Sequence, residues 1–205
     1  MKQIKIQTFA SLDGVMQAPG VPDEDTSGGF VLGGWSQPHW DEMMGQVMDQ
    51  AMAEEYDLLL GRRTYDIFAA HWPNAGDDNP VTQKFNKATK YVATSSPKTL
   101  EWQNSQAITG DIAATIAKLK QSNGPTLSVQ GSSQLIQTLL ENGLADEFFV
   151  WTFPIVLGAG KRMFGDGAAP LGLKLDELKT STTGVSMARY RAAGDVKTGS
   201  FALDK

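Results

Sequence analysis

The sequence predicts an α/β fold: a mostly parallel, mixed central sheet with helices on both faces. Three observations carry this. First, an apolar, strand-like run stops abruptly at small, polar or basic residues, and an amphipathic segment usually follows. It does so at Leu58-Leu59-Leu60-Gly61-Arg62-Arg63-Thr64-Tyr65, at Tyr91-Val92-Ala93-Thr94-Ser95-Ser96-Pro97, and at Leu127-Ser128-Val129-Gln130-Gly131-Ser132-Ser133-Gln134-Leu135. Second, strand-like and helix-like periods alternate along the chain. Third, Phe148-Phe149-Val150-Trp151-Thr152-Phe153 is continuously apolar, as in a strand buried on both faces. In an open α/β sheet, nucleotides bind at the carboxyl ends of neighbouring strands. There glycine lets a phosphate approach the backbone, and a helix start offers free N–H groups.

The elements follow in order. Residues 4–9 read as the first strand, and Ser11-Leu12-Asp13-Gly14 as a turn. Residues 17–34, rich in Gly, Pro and Asp, read as a long loop of the kind that forms lids and binding loops. A helix is predicted from about Pro38, with Trp40, Met43, Met44, Val47 and Ala51 on one apolar face. A strand at residues 57–60 precedes a second helix with Tyr65, Phe68, Ala69 and Trp72 on its apolar face, stopped by Pro73-Asn74-Ala75-Gly76. Ile112, Ile116 and Leu119 mark a third helix with Asp111 as N-cap. Leu135, Ile136, Leu139 and Leu140 mark a fourth, capped by Ser132 or Ser133 and ended by Asn142-Gly143. Two late, antiparallel strands are expected near residues 173–180 and 185–191.

Composition bounds the function. The 205 residues suit a single domain, 1–205, with a real core, and 41% apolar content is that of a globular chain. A net charge of −5 argues against nucleic acid or an anionic membrane as the main partner. There are no cysteines, which excludes disulfides, thiolate metal sites and cysteine nucleophiles. The two histidines, His39 and His71, make a multi-histidine zinc site improbable, so no metal is expected. The N-terminus alternates like a strand and lacks a signal-peptide core, and no apolar stretch is long enough to cross a bilayer. A soluble, cytoplasmic protein is expected.

Gly61-Arg62-Arg63-Thr64 is the sharpest motif. Two guanidinium groups beside a helix start suit a phosphate such as the 2′-phosphate of NADPH, with Thr64 as helix cap and pyrophosphate donor; a solvated arginine pair is the alternative. Thr94-Ser95-Ser96-Pro97 reads equally as a plain turn. Gln130-Gly131-Ser132-Ser133 is not the two-glycine dinucleotide fingerprint.

Taken together and in this order, the motifs resemble the dihydrofolate reductase-like fold. More closely they resemble the reductase domain at the C-terminus of the bacterial riboflavin-biosynthesis deaminase/reductase, and above all its stand-alone small relatives. The resemblance runs from Ser11-Leu12-Asp13-Gly14 through the three junctions to Pro154-Ile155-Val156-Leu157-Gly158-Ala159-Gly160-Lys161-Arg162-Met163-Phe164 and Gly194-Asp195-Val196-Lys197-Thr198-Gly199-Ser200-Phe201. It implies a three-layer fold, a homodimer and NADPH bound across the strand ends. Arg62, Arg63, Ser95 and Ser96, beside Thr94, would hold the 2′-phosphate. Gly61, Thr64, Gly131 and Ser132, flanked by Gln130 and Ser133, would face the pyrophosphate. The nicotinamide would lie near Ala10, Ser11 and the Phe153-Pro154 bend, and substrate under the loop from residue 16 to 35. Ser11, Asp13, Trp35, Phe153, Pro154 and Gly158 are the implied substrate residues, with Trp35 preferred over Trp40 and Trp72 for stacking.

Two departures stand out. Dihydrofolate reductases carry a glycine pair where Ser132 follows Gly131 here. They also hold the pterin with a carboxylate on the first helix. Asp41 and Glu42 are nearest by position, so Asp13 and Asp41 are the candidate catalytic carboxylates. Their alternatives are local: first-turn acids complement the helix dipole, and an Asp in such a turn bonds its own backbone. His39 is a candidate proton relay, and His71 a partner of the helix C-terminal dipole.

Three functions stay open. The first is NADPH-dependent reduction of a small pterin-like or pyrimidine-like heterocycle. The second is reduction of 5-amino-6-(5-phosphoribosylamino)uracil, which needs a second phosphate site that only Lys161 and Arg162 offer. The third is a non-catalytic nucleotide-binding or dimerisation module, with Phe148-Phe149-Val150-Trp151 serving either as interface or as central strand.

Overall fold

The computed structural model describes residues 1–76 and 78–201. Eight strands form one sheet: β1 (Ile4–Ser11), β2 (Tyr56–Gly61), β3 (Lys90–Ala93), β4 (Ser105–Ile108), β5 (Thr126–Gln130), β6 (Glu147–Phe153), β7 (Leu173–Thr180) and β8 (Ser186–Ala192), in the order β4-β3-β2-β5-β1-β6-β8-β7. The first six positions are parallel, while β8 pairs antiparallel with β6 and with β7. Five α-helices cover it: α1 (Glu42–Ala53), α2 (Arg62–His71), α3 (Pro80–Lys87), α4 (Ile112–Gln121) and α5 (Ser133–Glu141).

Side chains alternate across a strand, so each central strand feeds two cores. Ile4, Ile6, Leu127, Val129 and Phe148 pack with α4 and α5 through Ile116, Leu135, Ile136 and Leu139. On the other face Phe149, Trp151 and Phe153 meet Met44, Val47 and Ala51 of α1, while Leu58, Leu60 and Val92 meet Tyr65 of α2 and Phe85 of α3. The expected α/β three-layer arrangement is present. Phe148, Phe149 and Trp151 are 0–3% exposed, so this run is a central strand and not a free surface for a second copy.

Local signals explain the helix starts. Asp111 caps α4 as expected, accepting the Ala114 N–H. The predicted start near Pro38 is corrected. Residues 37–39 form a single 3-10 turn, and α1 begins only at Glu42, because Asp41 accepts the Met44 N–H and so fixes the first turn. Trp40 therefore lies outside the helix and is 45% exposed. The sequence reading passed over α3 and β4. The first is announced by Asn79-Pro80, an N-cap followed by proline at the first helical position. The second, Ser105–Ile108, is a largely exposed edge strand with little apolar signature.

Lys90 is fully buried without a carboxylate. Its Nζ donates to the carbonyls of Asn86 (2.8 Å) and Gln103 (3.1 Å) and sits 4.3 Å from the Trp102 ring centroid. Burial holds its pKa down at about 8 against an ordinary 10.5. Between those values the folded state binds fewer protons than the unfolded chain, so Lys90 makes stability rise with pH there; below about 8 its penalty is complete. We expect Lys90→Met to flatten that rise, by up to about 3 kcal/mol across the window. Urea unfolding of both proteins at either end of the window checks this, since other titrating groups cancel in the comparison.

Candidate functional site

The slot between β2 and β1 is filled by β5, so the carboxyl ends of β2, β5 and β1 lie side by side. A cavity of about 1520 Å³ opens there, lined by all three strand-end junctions. That exceeds an ordinary small-ligand pocket and suits a dinucleotide with a second molecule.

The helices around it differ in one respect. Asp41, Asn79 and Asp111 cap α1, α3 and α4 with their side chains. The helices that start at the cavity, α2 and α5, have no side-chain cap. The residues of their first turns, whose N–H groups no intrahelical carbonyl can satisfy, line the cavity. The N-cap position of α2 is Gly61, not Thr64 as the sequence suggested. Ser132 precedes α5 in the left-handed conformation (φ 66°), a cost of roughly 1–2 kcal/mol for a residue other than glycine. Its hydroxyl accepts the Gly61 N–H (2.9 Å) and donates to Thr64 Oγ1 (2.9 Å), tying the two junctions together. The Gly61 N–H is therefore already taken, and the free donors belong to the residues after it.

Arg62 and Arg63 leave this edge in different directions. Arg62 bonds the Asp66 carboxylate through Nε (2.8 Å), and its Nη1 reaches Thr99 Oγ1 (2.7 Å) and the Ser96 carbonyl (3.0 Å). It thus bridges α2 to the loop after β3. Arg63 is 62% exposed, with its guanidinium 3.1 Å from Asp25.

The rest of the cavity has a different character. On the α1 side its wall is apolar: Phe9, Phe149 and Trp151 from the sheet, Met48 and Ala51 from α1. Phe9 and Trp151 lie 5.1 Å apart, and the exposed Trp40 stacks on Trp151 from outside at 5.9 Å. Residues 16–19 and 23–27 of the long loop form the remaining wall. Gln17 organises this loop, its amide donating to the carbonyls of Asp25 and Ser27 (both 2.9 Å). The Asp25 carboxylate, 8% exposed, bonds Lys161, Ser27 and Arg63. Burial disfavours its charge, but Lys161 and Ser27 outweigh that and hold it at about 2, so Asp25 is ionised at neutral pH.

The model of the RibD C-terminal domain matches residues 2–187. The chain belongs to the RibD C-terminal domain family. It is 28% identical over 175 residues to the uncharacterized protein YyaP of Bacillus subtilis (strain 168), covering 82% of this chain and 92% of that one. Among solved structures it is similar to a putative riboflavin biosynthesis protein from Shewanella sp. PV-4 (19% identity, TM-score 0.62, 93% of this chain and 99% of that one). It is also similar to the dihydrofolate reductase of Enterococcus faecalis complexed with NADP(H) (11% identity, TM-score 0.59, 93% and 96%). The fold is dihydrofolate reductase-like.

In this RibD C-terminal domain the residues singled out for the cofactor converge. Gly61, Arg62, Arg63, Thr64, Thr94, Ser95, Ser96, Gln130, Gly131, Ser132 and Ser133 all line the cavity. Ala10 does not; it is 4% exposed, and the preceding Thr8 and Phe9 line the cavity instead.

The residues singled out for substrate and catalysis lie outside the cavity and do structural work. Asp13 accepts the Ser11 hydroxyl (2.6 Å) and the N–H groups of Leu157 (3.1 Å) and Gly158 (2.9 Å), with Arg162 at 3.5 Å. Its hydrogen bond from Ser11, then those from the 157–158 backbone, hold its pKa at about 2. It latches the turn after β1 to the loop after β6. Asp41 caps α1 and accepts the Thr182 N–H and hydroxyl (2.7 Å each), which accounts for its lowered pKa. Trp35, the preferred stacking residue, is 7% exposed, donates to the Gln17 carbonyl and meets Phe153 edge-on. Phe153 is buried, while Pro154 and Gly158 are exposed outside the cavity. His39 is likewise remote, its carbonyl accepting from Thr183 and its ring against Phe153.

Sequence reasoning missed Asp25, Gln7, Thr8, Phe9, Met48, Phe149 and Trp151 as cavity residues. Those on strands were recoverable from alternation, since Phe9, Phe149 and Trp151 share the face opposite Ile6 and Phe148. Nothing local marks Asp25. Among the described residues no group of three or more His, Asp or Glu is placed to hold a metal, and no helix is long and apolar enough to cross a membrane.

Proposed function

We propose that this protein is an NADPH-dependent reductase of a small, flat heterocycle. The observation that carries the proposal is the pair of uncapped helix starts, α2 and α5, converging on one cavity beside Arg62 and Arg63. Unsatisfied N–H groups and the positive ends of two helix dipoles suit a pyrophosphate. Arginines suit a further phosphate monoester, here the 2′-phosphate, with Ser95 and Ser96 alongside. The residues present therefore fit the cofactor. Bound NADPH supplies a hydride.

The protein's own contribution is placement. The first turns of α2 and α5 hold the pyrophosphate, and the Ser132 bridge keeps the two turns in register. The wall of Phe9, Phe149 and Trp151 orients a flat ring and excludes water on the α1 side. Asp25 is ionised and cannot give up a proton at neutral pH. Two groups lining the same cavity can carry a proton instead: Lys161 Nζ, which bonds Asp25, and the Glu24 carboxyl, which burial pushes above its usual range.

Two features set this site apart. α1 presents Met48 and Ala51 to the cavity and no carboxylate, so a cationic pterin has no counter-ion there. Among the described residues lining the cavity, the cation beyond Arg62 and Arg63 is Lys161, and Arg162 lies outside, engaged by the Asp13 and Gly158 carbonyls. Arg62, Arg63 and Lys161 are each paired with a carboxylate, so every phosphate bound must displace one; a substrate without a phosphate needs the fewest such exchanges, which favours it over the phosphoribosylaminouracil reading.

The test is a titration with NADPH and NADH, read by tryptophan fluorescence and calorimetry. Saturable binding with a clear NADPH preference is expected, followed by NADPH oxidation on screening flat heterocycles. Binding without any turnover would leave a non-catalytic nucleotide-binding module; equal affinities would remove the 2′-phosphate assignment.

A further inference from the structure

The α1-side floor of the cavity contains two adjacent carboxamides. Gln7 of β1 is in register with Gln130 of β5 on one side and Phe149 of β6 on the other. Alternation places all three on the face opposite Ile6, Val129 and Phe148, and all three line the cavity. Gln130 Nε2 donates to Gln7 Oε1 (3.0 Å) and to Ser128 Oγ (2.8 Å). Both protons of that amide are then used. Gln7 Nε2 and Gln130 Oε1 have no partner among the described residues. Ser128 is fully buried and anchors the row from beneath.

Neither free group is sealed from solvent: both open onto the cavity, where water answers them until a ligand with matching groups replaces it. Rotating both amides by half a turn preserves the network, with Ser128 donating, and again leaves one donor and one acceptor. The pattern offered to the cavity is the same in either orientation.

We infer that Gln7 and Gln130 read a planar amide edge, an N–H beside a C=O, on the molecule that stacks against Phe149 and the Phe9–Trp151 wall. This deepens the reductase reading and rests on it for the identity of that molecule. Two sources carry the same chemistry: a lactam of the substrate ring and the carboxamide of the nicotinamide. The carboxylate-free face of α1 fits both, because neither is charged.

The experiment uses the full chain and four probes. Lumazine, a fluorescent bicyclic dilactam, is titrated beside 1,3-dimethyllumazine, which keeps the ring and loses its N–H groups. NADPH is titrated beside 2′-phospho-ADP-ribose, which keeps the phosphates and loses the nicotinamide. Each is repeated on Gln7→Leu, Gln130→Leu and the isosteric Gln130→Glu, with thermal melting to confirm that each variant folds. A substrate-lactam reader gives wild type roughly tenfold preference for lumazine over its dimethyl analogue, lost in the variants, with NADPH binding unchanged. A cofactor-carboxamide reader gives roughly tenfold weaker NADPH binding in the variants, with the fragment unchanged. Either supports the inference and names the source. If folded variants alter neither ratio, or wild type shows neither preference, the inference is overturned. The lumazine arm needs no cofactor, so failure of NADPH to bind would count against the reductase reading while leaving the glutamine pair to be judged separately.

Discussion

Arg62→Ala combined with Arg63→Ala is expected to weaken NADPH by roughly a hundredfold or more and NADH by far less. A hydrogen bond to a charged group contributes about 1.5–3 kcal/mol, and two guanidiniums would be lost from one phosphate. The estimate sits toward the low end, because Arg63 is 62% exposed and water and salt screen it. The two residues should separate. Arg63 has a single partner, Asp25, so its removal reports on ligand binding with little structural cost. Arg62 also ties α2 to the Ser96 carbonyl and Thr99, so Arg62→Ala loosens the wall as well as removing charge. Affinities of the single and double variants for both cofactors, at low and moderate salt, check this; a double variant that still prefers NADPH as wild type does would sink the assignment.

The largest stability loss is expected from Asp57→Ala. Lys2, 4% exposed, places Nζ 2.9 Å from the Asp57 carboxylate, whose other oxygen accepts the Thr89 N–H (3.2 Å). This pair joins the segment before β1 to the start of β2 and the approach to β3. Removing the acid strands a buried ammonium with no carboxylate among the described residues, left to the Pro125 carbonyl at 3.4 Å and the Tyr91 ring, whose centroid is 5.8 Å away. Breaking a buried pair on one side costs about 3–5 kcal/mol, which lowers the melting temperature of a chain this size by roughly 6–20 °C. Replacing both partners, with Lys2→Met and Asp57→Leu, should recover most of that loss, because no unpaired charge remains. Thermal melts of the two variants beside wild type decide it: a drop under about 1 kcal/mol for Asp57→Ala, or no recovery in the double variant, contradicts the argument.

The convergence of the strand-end junctions on one cavity was legible because their placement is local. Gly61-Arg62-Arg63-Thr64 and Gln130-Gly131-Ser132-Ser133 are continuous in sequence, and the strand-to-helix turn that contains them also places them. The helix caps were not legible: Thr64 and Ser132 or Ser133 were the expected side-chain caps, but neither helix has one, and Ser132 spends its hydroxyl on Gly61 and Thr64. A residue's surroundings were not legible where they depend on a distant partner. Asp13 looked like a catalytic acid until Leu157 and Gly158, remote in sequence, supplied its donors. Asp41 was absorbed by Thr182 in the same way. Trp35 and Trp40 exchanged their expected roles: a glycine-rich loop folded Trp35 inward onto Phe153, and the late start of α1 left Trp40 at the surface.

Periodicity and turn chemistry alone specify the α/β architecture, the order of most elements, and the strand-to-helix junctions that line the cavity, because those depend on neighbours a few residues apart. The strand order was beyond their reach, and with it the row Gln130–Gln7–Phe149. Those three side chains become adjacent only when β5 inserts between β2 and β1 and β6 joins the far edge of β1. The closing of residues 23–27 over the cavity through Asp25, Lys161 and Arg63 is likewise a tertiary fact, since ion pairs between separate loops leave no local pattern to read.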